Sequence, residues 1–299
     1  GALSIKSPAK RSKKKEAFAK NLDAITILKV LEAENRAASP DEQNILKGYI
    51  GFGGLSEAFE AGRDGWQEEY NSLKSVLTDE EYRSARASVL NAHYTSETII
   101  KNIYQGLENL GFQGGKVLEP SCGTGSFFAY LPDSINNNSQ LYGIELDSLT
   151  GRIAQKIYPD ANISVQGFET TSFQNDAFDL AIGNVPFGDY QVNDPEYKNE
   201  KFLIHDYFLA KMIDKTRSGG LVAVVTTKGT LDKKDEKVRK YLAERAELVQ
   251  AVRLPNNAFK AAGTEVTTDI LIFKKRDRVL KETDQLPDWV HSEPWDDEI

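Results

Sequence analysis

Asn184-Val185-Pro186-Phe187 places an amide, a rigid turn and an aromatic ring in four consecutive residues, directly after the apolar run Leu180-Ala181-Ile182-Gly183. These are the parts that chemistry at an exocyclic amine needs. The amine of adenine is conjugated with its ring and is a poor nucleophile. An Asn side-chain oxygen and a neighbouring backbone carbonyl can accept its two hydrogens and raise electron density on nitrogen. Pro186, with its locked φ and missing N–H, keeps that carbonyl oriented. Phe187 gives a flat face on which an extruded base can stack. Standing alone, the tetrapeptide reads better as an ordinary strand–turn with a buried Phe.

Two further clusters precede it. Val117-Leu118-Glu119-Pro120-Ser121-Cys122-Gly123-Thr124-Gly125-Ser126 is a strand that ends in an acid and a loop that turns into a helix. Gly123 and Gly125 let backbone approach a ligand at the carboxyl end of the first strand. The pattern is neither GxGxxG nor a P-loop, so a dinucleotide or triphosphate fits poorly, whereas the acid suits an ammonium group. Leu141-Tyr142-Gly143-Ile144-Glu145-Leu146-Asp147 is a second strand ending in an acid, and Glu145 is placed to accept hydrogen bonds from both hydroxyls of a ribose. Asp147 reads better as a helix cap. Together the two clusters point to an adenosine-type ligand that carries an amino acid.

These residues need a sheet to hold them. Lys116–Glu119, Gln140–Glu145, Ile163–Val165, Phe178–Ile182, Gly220–Thr226, Leu248–Arg253 and Thr268–Phe273 are short apolar runs. Helical segments fit at 96–110, 148–157, 201–216 and 233–246. That alternation predicts an α/β fold, a doubly wound and mainly parallel sheet. The connection between the last two strands is too short for a crossover helix, so the sheet should end in an antiparallel pair. Before residue 93 the pattern is helical over 16–92: Phe18, Leu22, Ile25, Leu28 and Leu31 recur at helical spacing. Ser39-Pro40-Asp41-Glu42 and Thr78-Asp79-Glu80-Glu81 carry helix-start signals. Residues 1–15 read as a disordered basic arm, 93–276 as the α/β domain and 277–299 as an acidic tail.

Composition narrows the choice of function. The chain has 299 residues, 40% of them hydrophobic, one cysteine, three histidines and a net charge of −8. One cysteine excludes a disulfide framework, and the scattered His93, His205 and His291 suggest no metal site. No run is long and apolar enough to span a membrane, and a polar basic start is no signal peptide, so a cytoplasmic location is expected. The net charge disfavours nucleic acid, yet Lys6, Lys10, Arg11, Lys13, Lys14, Lys15 and Lys20 gather at one end. Such an arm can meet phosphates, although a solvated tail is the plainer reading.

The order and spacing of Glu119–Gly125, Glu145 and Asn184–Phe187 resemble the class I (Rossmann-like) amino-methyltransferases, and in particular the N6-adenine DNA methyltransferases with cofactor motifs before the catalytic motif. The resemblance implies methyl transfer from S-adenosylmethionine to the N6 amine of a flipped adenine in DNA. Asn184, Val185, Pro186 and Phe187 would then be catalytic. Cofactor contacts would come from Glu119, Pro120, Ser121, Gly123 and Gly125, from Glu145 and Leu146, and from Asn184. Ala92-His93-Tyr94-Thr95-Ser96 resembles the family's upstream segment, which adds His93, Tyr94 and Thr95 to that set. Two departures stand out: Val185 replaces the family's first proline, and Gly167 replaces the acid of an Asp-Phe pair that lies beside the cofactor adenine, with Phe168 keeping the apolar contact.

Arg253-Leu254-Pro255 with Phe259, then Gly263-Thr264, resembles restriction–modification methylase subunits. Tyr49-Ile50-Gly51-Phe52-Gly53-Gly54-Leu55 and His205-Asp206-Tyr207-Phe208 resemble methylase domains of large phage and mobile-element proteins. The partners so implied are DNA and either a separate specificity subunit or a fused helicase-like region. Two rival classes share the tetrapeptide: methyltransferases of protein glutamine and of ribosomal-RNA amines. A non-catalytic DNA-modification or antirestriction subunit is the third alternative.

Overall fold

Runs such as Val117-Leu118 and Leu180-Ala181-Ile182 are apolar at consecutive positions, which suits strands covered on both faces. In the computed structural model, which describes residues 8–90, 95–255, 260–261, 264–265 and 267–292, they form the middle of a seven-stranded sheet. The strands are β1 (Lys116–Glu119), β2 (Gln140–Glu145), β3 (Asn162–Val165), β4 (Phe178–Asn184), β5 (Thr216–Thr227) and β6 (Ala246–Arg253). A two-stranded ribbon, β7 (Lys260–Ala261) with β8 (Thr264–Glu265), precedes β9 (Thr268–Lys275). The sheet order is β3-β2-β1-β4-β5-β9-β6. The first five strands in that order are parallel, and β9 runs antiparallel to both β5 and β6. The predicted antiparallel ending is therefore present.

The side-chain period of two sorts each strand between two cores. Leu118, Ala181, Val222, Val224, Leu271 and Phe273 face α9 (Ile204–Lys215) and α11 (Lys237–Arg245). Val117, Leu180, Ile182, Ala223, Val225 and Ile272 face α5 (Glu97–Asn109). Helix α5 starts where Ser96 caps the Ile99 amide at 3.3 Å. Helix α9 is shorter than the predicted 201–216, because Thr216 already pairs with Phe178 as the first residue of β5. The predicted helix 233–246 becomes α11, after a separate helical turn α10 (Gly229–Asp232).

The N-terminal helices are α1 (Pro8–Ala33), α2 (Pro40–Leu46), α3 (Gln67–Val76) and α4 (Asp79–Ala87), and two short helices, α6 (Ser126–Ala129) and α7 (Asp133–Asn136), lie between β1 and β2. Both predicted capping boxes form, Ser39 with Glu42 and Thr78 with Glu81. The bundle does not stand apart: its core continues into Leu149, Ile153 and Ile157 of α8 (Ser148–Ile157), the helix that follows β2. Polar contacts reinforce the join. Arg152 on α8 pairs with Glu32 at 2.5 Å and with Glu81 at 2.7 Å, and Lys29 reaches Glu81 at 2.6 Å.

Helix α1 begins at Pro8, within the stretch expected to be a disordered arm. Lys14 there pairs with Glu57 at 2.6 Å, and Lys15 lies over the Trp66 ring at 4.2 Å. Beyond the sheet, Trp289 packs on Phe273, and Arg239 donates to the Val290 carbonyl at 2.8 Å. Among the described residues no helix is long and apolar enough to cross a membrane.

Candidate functional site

The sheet order reverses between β1 and β4, and in open α/β sheets ligands bind at the carboxyl ends beside such a reversal. Glu119, Glu145 and Asn184 are the last residues of β1, β2 and β4. The topology thus brings together three residues that lie far apart in the chain.

Glu119 is almost fully buried. One carboxylate oxygen accepts from the Ser121 amide at 3.0 Å, and the other lies where a Cβ on Gly183 would fall, 2.1 Å away. Burial pushes this carboxyl well above the usual carboxylate range, with only the Ser121 N–H acting against it. The loop that follows requires glycine at two positions. Gly123 (φ 57°) and Gly125 (φ 94°) are left-handed. Nothing would meet a Cβ on Gly123, so its outer face is open, whereas Gly125 is crowded by the Tyr158 ring.

Glu145 closes the loop from the other side. Its two oxygens accept from the amides of Gly123 (3.0 Å) and Asp147 (2.8 Å). Burial raises its pKa, and these two amides partly offset the rise. Leu146, next in the chain, is 73% exposed, and Val165 at the end of β3 is also exposed, so an apolar shelf flanks Glu145. Asp147 caps α8 through the Thr150 amide at 2.9 Å and accepts from Ser84 of α4 at 2.7 Å.

Asn184 is held at three points. Its carbonyl accepts from the Ser121 hydroxyl at 2.8 Å, which ties the glycine loop to β4. The next amide, that of Val185, donates to the Val225 carbonyl at 3.1 Å. Its side-chain Nδ2 donates to Thr95 Oγ1 at 3.0 Å. That last bond turns Oδ1 the other way, where it is buried with no partner among the described residues. A buried amide oxygen without a donor costs about 1–3 kcal/mol. Val185 buries its side chain in the core, and Pro186 and Phe187 are half-buried beside it.

The remaining predicted residues sort as follows. Thr95 meets Asn184, while His93 and Tyr94 lie outside the described residues. Phe168 stands in a 3-10 turn after β3, its ring buried against Phe208 and Tyr207. Arg253 pairs with Asp269 and Asp232, and Phe259 and Gly263 lie outside the described residues. Tyr49 to Leu55 forms a turn clamped by the buried Asn21, which accepts from the Ile50 amide and donates to the Gly51 carbonyl. His205 is buried, with no hydrogen bond to either ring nitrogen among the described residues and Nε2 3.6 Å from Asp206 Oδ2. Asp206 accepts from Thr230, and Tyr207 donates to Asp194.

Sequence reasoning missed a buried ion pair on the same side of the sheet. Lys211 of α9 binds Asp194 at 2.7 Å and the Phe168 carbonyl at 3.0 Å. A lysine inside the apolar run 207–213 was the available signal. Among the described residues no group of His, Cys, Asp and Glu could hold a metal ion.

Comparison with known proteins identifies the family and the fold. The N-6 DNA Methylase family model matches residues 80–287. Defense against restriction protein B of Escherichia phage P1 is 28% identical over 267 residues, which cover 88% of this chain and 10% of the phage protein. The Type I restriction enzyme EcoEI methylase subunit of Escherichia coli is 28% identical over 218 residues, 62% of this chain and 42% of the subunit. The chain therefore spans about a tenth and less than half of these two relatives. Among solved structures, the type I restriction-modification methyltransferase subunit of Streptococcus thermophilus superposes with a TM-score of 0.53 at 14% identity, over 90% of this chain and 81% of that one. At that identity the likeness is one of fold: the doubly wound class I methyltransferase sheet expected from the sequence.

Proposed function

This chain belongs to the N-6 DNA methylase family, and from that premise we propose that it transfers a methyl group from S-adenosylmethionine to the N6 amine of an adenine flipped out of DNA. The observation that carries the reading is the buried Oδ1 of Asn184 at the carboxyl end of β4, which has no partner among the described residues. Asn184 Oδ1 accepts one amine hydrogen, and the Val185 carbonyl, oriented by Pro186, accepts the other. Phe187 stacks on the extruded ring.

Glu119 would hold the ammonium group of the cofactor, Glu145 the ribose hydroxyls, and the loop from Pro120 to Gly125 would line the same ligand. Gly123 leaves that loop open toward the ligand. Glu119, buried with no cation beside it among the described residues, and Glu145 at the neighbouring strand end fit an amino acid joined to a ribose. When bound, S-adenosylmethionine supplies a methyl group already activated by a positive sulfur, so alignment by the protein does most of the work. The proton leaves nitrogen after transfer, and no side chain with a raised pKa is needed to remove it first.

Sequence choice in DNA would come from the N-terminal helices, a separate specificity subunit or a fused helicase-like region, with the reaction in the cytoplasm. A labelled-methyl assay offering duplex DNA, ribosomal RNA and glutamine-bearing protein tests the reading. Label in N6-methyladenine of DNA supports it, and label confined to RNA or protein overturns it. The likeness to a phage defence-against-restriction protein favours a second reading, an antirestriction subunit that keeps the fold without turnover. Thermal stabilisation by S-adenosylmethionine without methyl transfer to any acceptor would select it.

A further inference from the structure

One residue, Asp147, joins the N-terminal helices to the acid at the end of β2. Asp147 N donates to Glu145 Oε2 at 2.8 Å, so the place of this amide decides where the Glu145 carboxylate is held. The Asp147 side chain is itself gripped from two sides. Its Oδ2 accepts from the amide and the hydroxyl of Thr150 on α8, at 2.9 and 2.6 Å. Its Oδ1 accepts from Ser84 Oγ at 2.7 Å, a hydroxyl that α4 brings from 63 residues earlier in the chain. Among the described residues, Ser84 is the one side chain from outside the β2–α8 segment that hydrogen-bonds Asp147.

Helix α4 is pinned where it makes this contact. Glu81 lies one turn before Ser84 on the same face of α4. Arg152 of α8 donates to Glu81 at 2.7 Å, and Lys29 of α1 donates to it at 2.6 Å. The buried Tyr49 packs in the core that these helices share with Leu149 and Ile153. Burial raises the pKa of its hydroxyl, and the nearby charges of Asp147 and Glu145 add to the rise. The turn after Tyr49 is tied to the chain beyond α4, where Gly54 N donates to the Val89 carbonyl at 3.0 Å.

We infer that Ser84 is a positioning residue for the cofactor: through Asp147 it fixes Glu145 against the ribose hydroxyls, so that the docked helical bundle sets cofactor affinity. The inference rests on the reading of Glu145 as the ribose acceptor. With Ser84 in place, Glu145 meets both hydroxyls already ordered. Without that hydroxyl, Asp147 is held by its own helix alone, its amide gains freedom, and part of the binding free energy goes into ordering Glu145 again. A ligand that lacks the ribose hydroxyls does not register the difference.

Calorimetric titration of the full chain with S-adenosylhomocysteine and its 2′,3′-dideoxyribose counterpart tests this. The wild-type chain should bind the hydroxylated ligand about tenfold more tightly or better, the scale of a hydrogen bond to a charged group. Ser84→Ala acts at one remove, so it should weaken that ligand only about fivefold and leave the dideoxy ligand within about twofold. Ser84→Thr, which keeps the hydroxyl, should bind as the wild-type chain does. Unchanged affinities in Ser84→Ala, or an equal loss for both ligands, overturn the inference alone. A wild-type chain that does not distinguish the two ligands overturns the ribose reading of Glu145 and the inference with it. One that binds neither overturns the cofactor reading as well.

Discussion

Thr95 Oγ1 accepts a hydrogen bond from Asn184 Nδ2 at 3.0 Å, across 89 residues of chain, and so fixes the orientation of the amide proposed to bind the target amine. With Nδ2 engaged, Oδ1 is the atom left for an incoming amine. Thr95→Val keeps the shape and removes the acceptor, which frees the amide to rotate. Losing one such bond costs about 1 kcal/mol. Steady-state kinetics should show kcat down five- to tenfold, Thr95→Ser retaining most of it, and cofactor affinity changed far less than kcat.

The raised pKa of Glu119 predicts a pH dependence with a definite sign. The folded chain without ligand holds this proton more tightly than the unfolded chain does, so Glu119 contributes stability at low pH that is lost as pH rises through its folded pKa. A ligand ammonium reverses this by favouring the ionised form. Thermal melts should therefore show S-adenosylmethionine stabilising the protein more at pH 8 than at pH 5.5. Glu119→Gln should flatten that difference and weaken binding about tenfold or more.

The Arg152 clamp predicts how the helical bundle comes apart. Burial alone would raise Glu81, but hydrogen bonds from Lys29, the Thr78 amide and Arg152 hold it at about 2, against an ordinary 4.5. The depressed acid stabilises the fold above its unfolded pKa, and that contribution is lost as pH falls from about 4.5 to 2. Arg152→Ala should lower stability in urea titration by about 1–3 kcal/mol, between exposed and buried ion-pair values. It should also reduce the acid sensitivity over that window.

Phe187 carries the stacking prediction. Alanine there should weaken productive binding of the target by about 1–3 kcal/mol, a loss of roughly ten- to a hundredfold in kcat/KM for DNA. Tyrosine should stay within a few-fold. Fluorescence of 2-aminopurine at the target position should rise on binding to the wild-type chain less than on binding to Phe187→Ala, because a stacked base is quenched.

Much of the site was legible in the sequence because backbone geometry dictates it. A strand ending in Glu119 before left-handed Gly123 and Gly125, and a second ending in Glu145, can be placed from spacing alone. The capping boxes of α2 and α4 were legible for the same reason, being local. Contacts that join distant segments were not: Thr95 with Asn184, Lys211 with Asp194, and Arg152 with Glu32 and Glu81 depend on how helices dock. Helix α9 was overextended because it is buried on nearly every side and gives no amphipathic boundary before Thr216.

Asn184 Oδ1 is proposed to activate the target amine without holding the cofactor in place. Asn184→Ala should be compared with the wild-type chain in two readouts: labelled methyl transfer to DNA, and calorimetric affinity for S-adenosylmethionine. The account predicts transfer reduced by about a thousandfold or more, the scale of losing an oriented transition-state hydrogen bond, with cofactor affinity within about threefold of wild type. Transfer that persists near the wild-type rate, or cofactor binding that disappears together with transfer, would contradict it.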